Sequence, residues 1–412
     1  MIARWRSNLA RSADILLEPL LIAMVLTIPF EKHTAQILST AVFCALGLVA
    51  VILFAKGRPA RIPTPLDLPI LVLVLVAVLS TIFSVDALIS LKSIRSTLIM
   101  FLFVYYLIVY GATSIERTKR LVFAFLIGSA AISSYGLYTF FSGCGMLDGR
   151  IRSTFYHPTR FANYLVFVSA ISFCLAVRYR SSRGVRAFHY AVFGLGLVCL
   201  VLTGARGANS GLLLGFALVF GVRDKRVWAT LALIVLISAA ILPFQSNHLH
   251  FMKAAELFSG SPSVGALLGE RPFLWRSGLS MAKDHPILGI GYGKTYNLVY
   301  DSKYALAGTT QDHSSAHNIL IETALEMGPL GLAAFLWLHI LIFKEAWRLV
   351  QGTTTRDAFA HALSGGILIG IIGVTCNGMF NYFYRDRLVL LYWFFVGLTF
   401  SLRRLCRAES AC

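Results

Sequence analysis

His313-Ser314-Ser315-Ala316-His317-Asn318 closes a long polar stretch, about residues 245–317, in a chain otherwise made of consecutive apolar runs. His317 stands where that stretch ends and the next apolar helix begins. A neutral imidazole there can take a proton from an alcohol near neutral pH. Arginines gather on the same side of the chain, in the gaps between apolar runs: Arg150, Arg152 and Arg160, then Arg206, then Arg271 and Arg276. Taken singly, each reads as a snorkelling or solvated charge. Taken together they read as a convergent anion site, because guanidinium forks bind phosphate with fixed geometry and charge-assisted hydrogen bonds. Arg206 is the sharpest of them. It sits in Thr203-Gly204-Ala205-Arg206-Gly207-Ala208-Asn209-Ser210, a very short turn of small residues that holds its charge near a membrane surface and leaves room for close approach.

Metal and nucleotide chemistry find little support. His313 and His317 are four apart, yet Ser and Ala fill the gap where a zinc metalloprotease places its Glu. No Asp-x-Asp pair occurs to clamp a divalent ion. Gly289-Ile290-Gly291-Tyr292-Gly293-Lys294 lacks the spacing of a phosphate loop and reads as a turn leading out of a helix. The expectation is therefore no metal and no cofactor.

The elements that must position these residues follow from composition. Of 412 residues, 57% are hydrophobic and 14% charged, too few polar side chains to cover a soluble globule. The reading is an all-α polytopic membrane protein, one membrane domain over 1–412, with about twelve transmembrane helices. The runs are Leu16–Phe30, Ile37–Ala55, Leu68–Phe83, Leu98–Val109, Leu121–Phe141, Ala162–Val177, Ala191–Leu202, Gly211–Val222, Val227–Phe244, Ile319–Phe343, Ala360–Phe380 and Leu388–Leu402. The 245–317 stretch is then a partly helical loop between the ninth and tenth. Most of the 37 Lys and Arg fall in alternate loops and at both ends, which puts those loops and both termini in the cytoplasm. The formal charge of +18 is thereby mostly topology, and nucleic acid is not needed to explain it. Among the seven cysteines only Cys144 falls in an outward loop, so no disulfide framework is implied.

These segments resemble the bacterial O-antigen ligase family, within the larger group that shares the Wzy_C domain with O-antigen polymerases and protein O-oligosaccharyltransferases. The resemblance is carried by Arg152-Ser153-Thr154-Phe155-Tyr156-His157-Pro158, Gly204-Ala205-Arg206-Gly207-Ala208, Gly269-Glu270-Arg271 with Trp275, His285 to Gly293, His317-Asn318, and Glu326-Met327-Gly328-Pro329-Leu330-Gly331. It implies a metal-independent, inverting glycosyltransferase of the GT-C type at the periplasmic face of the bacterial inner membrane. Its donor would be O-antigen on undecaprenyl diphosphate, its acceptor the lipid A–core oligosaccharide, with membrane lipids around it. By motif, His317 takes the place of the family's essential histidine, and Arg206 and Arg271 of its essential arginines. Arg152, Arg160 and Arg276 are further candidates for the diphosphate, and His313, Asn318, Tyr292 and Lys294 for acceptor or loop contacts. Ala205 stands where Ser is common in the family, and Arg276 competes with Arg271. A polymerase or protein O-oligosaccharyltransferase is the near alternative. A lipid-linked glycan transporter or flippase is the distant one, and it predicts charges within the spans rather than at their ends.

Overall fold

The computed structural model of the protein describes residues 2–31, 33–55, 62–241, 271–293, 295–300, 304, 315–352, 357–382, 384 and 387–411. Among these the regular structure is helical, and the lone departure is an isolated bridge between Leu147 and Arg150. Each of the twelve apolar runs overlaps a helix, the first nine being α1 Ile2–Thr27, α2 His33–Ala55, α3 Asp67–Ile82, α4 Ala87–Gly111, α5 Ile115–Ser142, α6 Pro158–Arg178, α7 Arg183–Leu202, α8 Arg206–Phe220 and α9 Lys225–Ile241. Two helices follow within the polar stretch, α10 Arg271–Asp284 and the single turn α11 Tyr296–Val299. The chain then continues as α12 Ile319–Gln351, α13 Ala358–Gly378 and α14 Leu388–Ala411. Seven of these, α4 to α7 and α12 to α14, are long and apolar enough to cross a membrane, and Ile37–Leu53, Asp67–Ile82 and Arg206–Phe220 are shorter apolar helices. This is a multi-pass membrane protein.

Buried aromatic and branched side chains of α6, α13 and α14 form the centre of the bundle, where Phe167 stacks on Phe395 at 4.6 Å and, nearby, Phe101 of α4 on Trp393 at 4.7 Å. Where α8 meets α13 the packing is instead of small residues. A Cβ on Gly211 would lie 2.4 Å from the Gly373 carbonyl, and one on Gly215 2.9 Å from that of Ile369, so the two backbones touch. That contact sets α8 rigidly against α13, and with it the height of Arg206 at the start of α8.

A smaller core, separate from the bundle, lies under the polar stretch. Leu274 and Met281 of α10, Ile290, Tyr296, Val299 and Tyr300 pack with Ala316 and Leu325 at the start of α12. α10 buries Leu274, Ser277, Gly278 and Met281, the i, i+3, i+4, i+7 stripe of an amphipathic helix. Its Gly278 lies so close to Ile321 and Ala316 that a Cβ would sit 2.8 Å and 3.2 Å from them. The glycine-rich turn serves the same core. Ile290 N–H donates to Leu325 O at 2.8 Å and Gly291 N–H to Glu326 O at 3.2 Å, and Val85 N–H reaches Ile290 O at 3.1 Å. Gly289, Gly291 and Gly293 all have positive φ, and Cβ atoms there would collide with Leu325 O, Ser84 and Ser93. The turn is a packing strap between α3 and α12. α12 breaks to receive it: Gly328, at φ 68° and ψ −171°, interrupts the helix just before Pro329.

Candidate functional site

Three of the arginines converge at one end of the bundle. Arg150, in the loop before α6, donates from Nε to the Thr203 carbonyl, and its side chain lies across Gly204, whose φ of +62° and missing Cβ make the space. Arg206 is the first residue of α8. Ala205 offers no side-chain cap, so the positive end of the α8 dipole is left beside that guanidinium. Arg271, first residue of α10, donates from Nε to the Phe380 carbonyl at 3.0 Å and stands 5.9 Å from the centre of the Phe380 ring. Burial first, and the charge of Arg206 second, hold the Arg271 guanidinium below its ordinary range. Burial, with repulsion from Arg271 and Arg206 partly offset by Asp148, does the same to Arg150. All three remain cations. None of the three forms an ion pair with a carboxylate among the described residues.

The hub that gathers them is the C-terminal end of α13. Gly207 packs against it so closely that a Cβ would lie 2.4 Å from Asn377 Oδ1 and 3.5 Å from the Phe380 ring. Arg271 holds the Phe380 carbonyl, and Asn318 Nδ2 holds the next one, Met379 O, at 3.1 Å. Asn377 is itself anchored to Asn163 of α6 at 2.6 Å. Trp275, one turn along α10, faces the Phe380 ring at 6.5 Å between centres. Two adjacent carbonyls therefore fix the start of α10 and the start of α12 to one another.

His317 sits immediately before this anchor. Asn318 caps α12, its Oδ1 accepting from Leu320 N–H at 3.0 Å and Ile321 N–H at 3.1 Å, the work of a strong N-cap residue. His317 has φ 49°, a left-handed backbone that costs a non-glycine residue about 1 kcal/mol. Two contacts sustain that conformation: His317 N–H donates to Ser315 Oγ at 3.2 Å, and the preceding N–H, of Ala316, donates to the carboxylate of fully buried Glu322. A strained residue held from both sides is positioned rather than loose.

The remaining arginines behave differently. Arg160 donates to Glu31 at 3.1 Å, and that buried carboxylate also takes the Tyr156 N–H at 2.8 Å. Arg152 donates to the carbonyls of Gly145 at 2.9 Å and Tyr156 at 3.2 Å. Arg276 is exposed, five residues and about 140° around α10 from Arg271. His157 caps α6 by accepting from Thr159 N–H at 3.2 Å. Loss of hydration first, then the charges of Arg150 and Arg160, push its imidazole down to about 4. Tyr292 is buried in the bundle core. His313 and Lys294, and most of the 245–317 stretch, lie outside the described residues. No three His, Cys, Asp or Glu side chains gather to hold a metal ion among the described residues.

Sequence reasoning singled out Arg206, Arg271, His317 and Asn318, which the fold brings together. It counted Arg150 among the outward arginines but did not name it for the diphosphate, and it did not place Glu322 behind His317, nor the Met379 and Phe380 carbonyls between the two helix starts. No signal in the residues separates Arg150 from Arg152, two positions along the same loop. The carbonyl hub left no trace in side-chain types.

Within this multi-pass membrane protein, Arg150, Arg206 and Arg271 thus lie near one another, and the loop before α12 that carries His317 is anchored to the same end of α13 as Arg271. Residues 191–336 match the Wzy_C family model, described as O-antigen ligase, so over that segment the chain is similar to O-antigen ligases. The matched segment runs from α7 into α12 and holds Arg206, Arg271, His317 and Asn318, while Arg150 and the α13 hub lie beyond its ends. Among curated proteins no sequence matches the chain significantly.

Proposed function

We propose that the protein is an O-antigen ligase, transferring glycan from undecaprenyl diphosphate to a hydroxyl of the lipid A–core oligosaccharide by metal-independent, inverting displacement. The observation that carries the reading is the nearness of Arg150, Arg206 and Arg271 to one another, with Arg271 held on the Phe380 carbonyl next to the Met379 carbonyl that anchors Asn318, and with no ion pair to a described carboxylate. Cations that meet no carboxylate among the described residues suit an anion that comes and goes.

In this reading Arg206 and Arg271 bind the donor diphosphate and stabilise the charge that grows on its bridging oxygen as the bond to the sugar breaks. One such pre-placed donor contributes about 3 kcal/mol, or a hundredfold and more in rate. Arg150, half-buried and fixed on Thr203, adds to the field without needing to move. His317 takes the proton of the acceptor hydroxyl as that oxygen attacks the opposite face of the sugar, which inverts the anomeric centre. Twelve crossings, both termini in the cytoplasm, an inner-membrane location and a periplasmic site belong to the same proposal. The family match and the seven apolar helices support its membrane setting, and the division of basic residues supports its orientation.

The test is transfer from purified undecaprenyl-diphosphate O-antigen to lipid A–core by wild type and His317→Ala, with EDTA throughout. Transfer by the wild type alone is the expected result. Full activity in folded His317→Ala removes the mechanism, and lengthening of the donor glycan in place of transfer makes the protein a polymerase.

A further inference from the structure

A groove of about 770 Å³ runs along the outside of the bundle, with Leu214 and Leu218 of α8 as one wall, the last turns of α12 as the other and α13 as its floor. Lys344, Trp347, Arg348 and Gln351 line it at one end, and none of Arg150, Arg206 and Arg271 lines it. We propose that this groove is a binding site for an anionic phospholipid of the leaflet on the Lys344 side, its phosphate clamped by Lys344 and Arg348 and one acyl chain lying along α13. The site is separate from the arginine cluster and stands independently of the reaction proposed above.

Charge argues for the head group. Lys344 and Arg348 are four apart, neighbours on one face of α12, and like charges at that spacing repel unless an anion lies between them. Glu345 does not meet that need. One of its oxygens takes Arg348 at 2.8 Å and the other takes Arg403, while exposed Lys344 meets no carboxylate among the described residues. Three cations therefore share one carboxylate at this end of α12, and the groove's mouth carries an excess of positive charge. A basic pocket between membrane helices on the cytoplasmic side is a recurrent seat for acidic phospholipid head groups, and in the orientation proposed above this end of α12 is cytoplasmic. Trp347, one position before Arg348, adds an amphipathic indole suited to the interfacial depth.

The rest of the lining fits a hydrocarbon chain. Leu368, Ile372 and Met379 mark a stripe along α13 about 16 Å long, close to half the roughly 30 Å hydrocarbon thickness of a bilayer. Charged residues line one end of the groove alone, which sets the direction in which the lipid lies. The opposite face of α8 is locked on α13 through Gly211 and Gly215, so the wall that α8 supplies is fixed in place.

The experiment uses the full-length protein in phosphatidylcholine nanodiscs containing phosphatidylglycerol with a diazirine at the end of one acyl chain. Label is expected on peptides of α8 and α13, and phosphatidylcholine carrying the same diazirine is expected to label them several-fold less. Lys344→Gln is expected to weaken competition by unlabelled phosphatidylglycerol about fivefold, the contribution of one lysine near an anionic surface, and Lys344→Arg to restore it. Leu218→Trp, which narrows the groove and leaves every charge in place, is expected to lower labelling of α13 with an unchanged melting temperature in detergent. Equal labelling by the two lipids, or equal labelling and competition in wild type, Lys344→Gln and Leu218→Trp, overturns the site. Stronger displacement by undecaprenyl phosphate than by phosphatidylglycerol also overturns it, since the groove then belongs to a polyprenyl lipid. The readout is binding and both positions lie outside the arginine cluster, so either result leaves the proposed reaction to its own test.

Discussion

The two ends of the bundle are both rich in arginine, but they use it in opposite ways. At one end Arg117 and Arg120 close on Glu18, Arg348 and Arg403 on Glu345, and Lys119 on Glu116 at 2.7 Å. At the other, Arg150 and Arg271 reach backbone carbonyls, and neither they nor Arg206 pair with a carboxylate among the described residues. Charge that is neutralised in place fixes helix ends and orientation. Like charges brought together and not closed on a carboxylate repel one another, and an arriving anion relieves that repulsion. Within the second end the contrast recurs at short range, since Arg160 is tied to buried Glu31 while Arg150 turns into the cluster.

The sharpest way to break the comparison is to exchange roles across it. Arg206→Ala is expected to lower glycan transfer at least a hundredfold with an unchanged melting temperature in detergent, while Glu31→Ala, which strands Arg160, is expected to cost about 3 kcal/mol of stability. Similar losses of stability in both variants would erase the distinction. Next in size is the support behind His317. Glu322→Ala frees the Ala316 N–H and is expected to cut kcat about tenfold with KM little changed, and Glu322→Gln, which keeps an acceptor oxygen, restores most of it. A Gln variant as poor as the Ala variant would mean that charge, not position, is what Glu322 supplies.

Smaller effects follow from Gly204 and His157. Gly204→Ala places a Cβ 3.3 Å from Arg150 Nε at a φ of +62°, and a loss of a few-fold in donor affinity is expected, readable by titration with undecaprenyl diphosphate. His157, held down to about 4, is neutral in the folded protein and carries an ordinary imidazole when unfolded. The folded state therefore binds fewer protons between about pH 6.5 and 4, and its stability falls as the pH drops through that window. His157→Asn keeps a capping side chain but cannot titrate, so its melting temperature should fall less over the same range. An equal fall in both proteins would put the acid sensitivity elsewhere.

Much of this was legible in the residues, for identifiable reasons. Apolar runs announce helices because a bilayer leaves few other ways to satisfy a backbone, and every run found its helix. Arg206 and Arg271 stood out because a cation in a short turn, or at the start of an amphipathic helix, needs a reason to be there. His317 stood out because it joins a polar stretch to a helix. The choice of Arg150 over Arg152 and Arg160 was not legible, since three arginines close together in one loop differ only in where the chain turns. Glu322 was hidden by its place in an apolar helix, where its partner is a backbone N–H. The break at Gly328 was announced by Gly328-Pro329, but its purpose, admitting the Gly289–Gly293 strap, depends on a contact some forty residues away in sequence.

The central claim is that Arg150, Arg206 and Arg271, which meet no carboxylate among the described residues, form the seat of a lipid diphosphate. The most direct measurement is the affinity of the nanodisc-embedded protein for undecaprenyl diphosphate in wild type, Arg206→Ala and Arg160→Ala. The account predicts at least a hundredfold weakening for Arg206→Ala and less than twofold for Arg160→Ala. Equal affinities in all three, or a larger loss in Arg160→Ala than in Arg206→Ala, would contradict it.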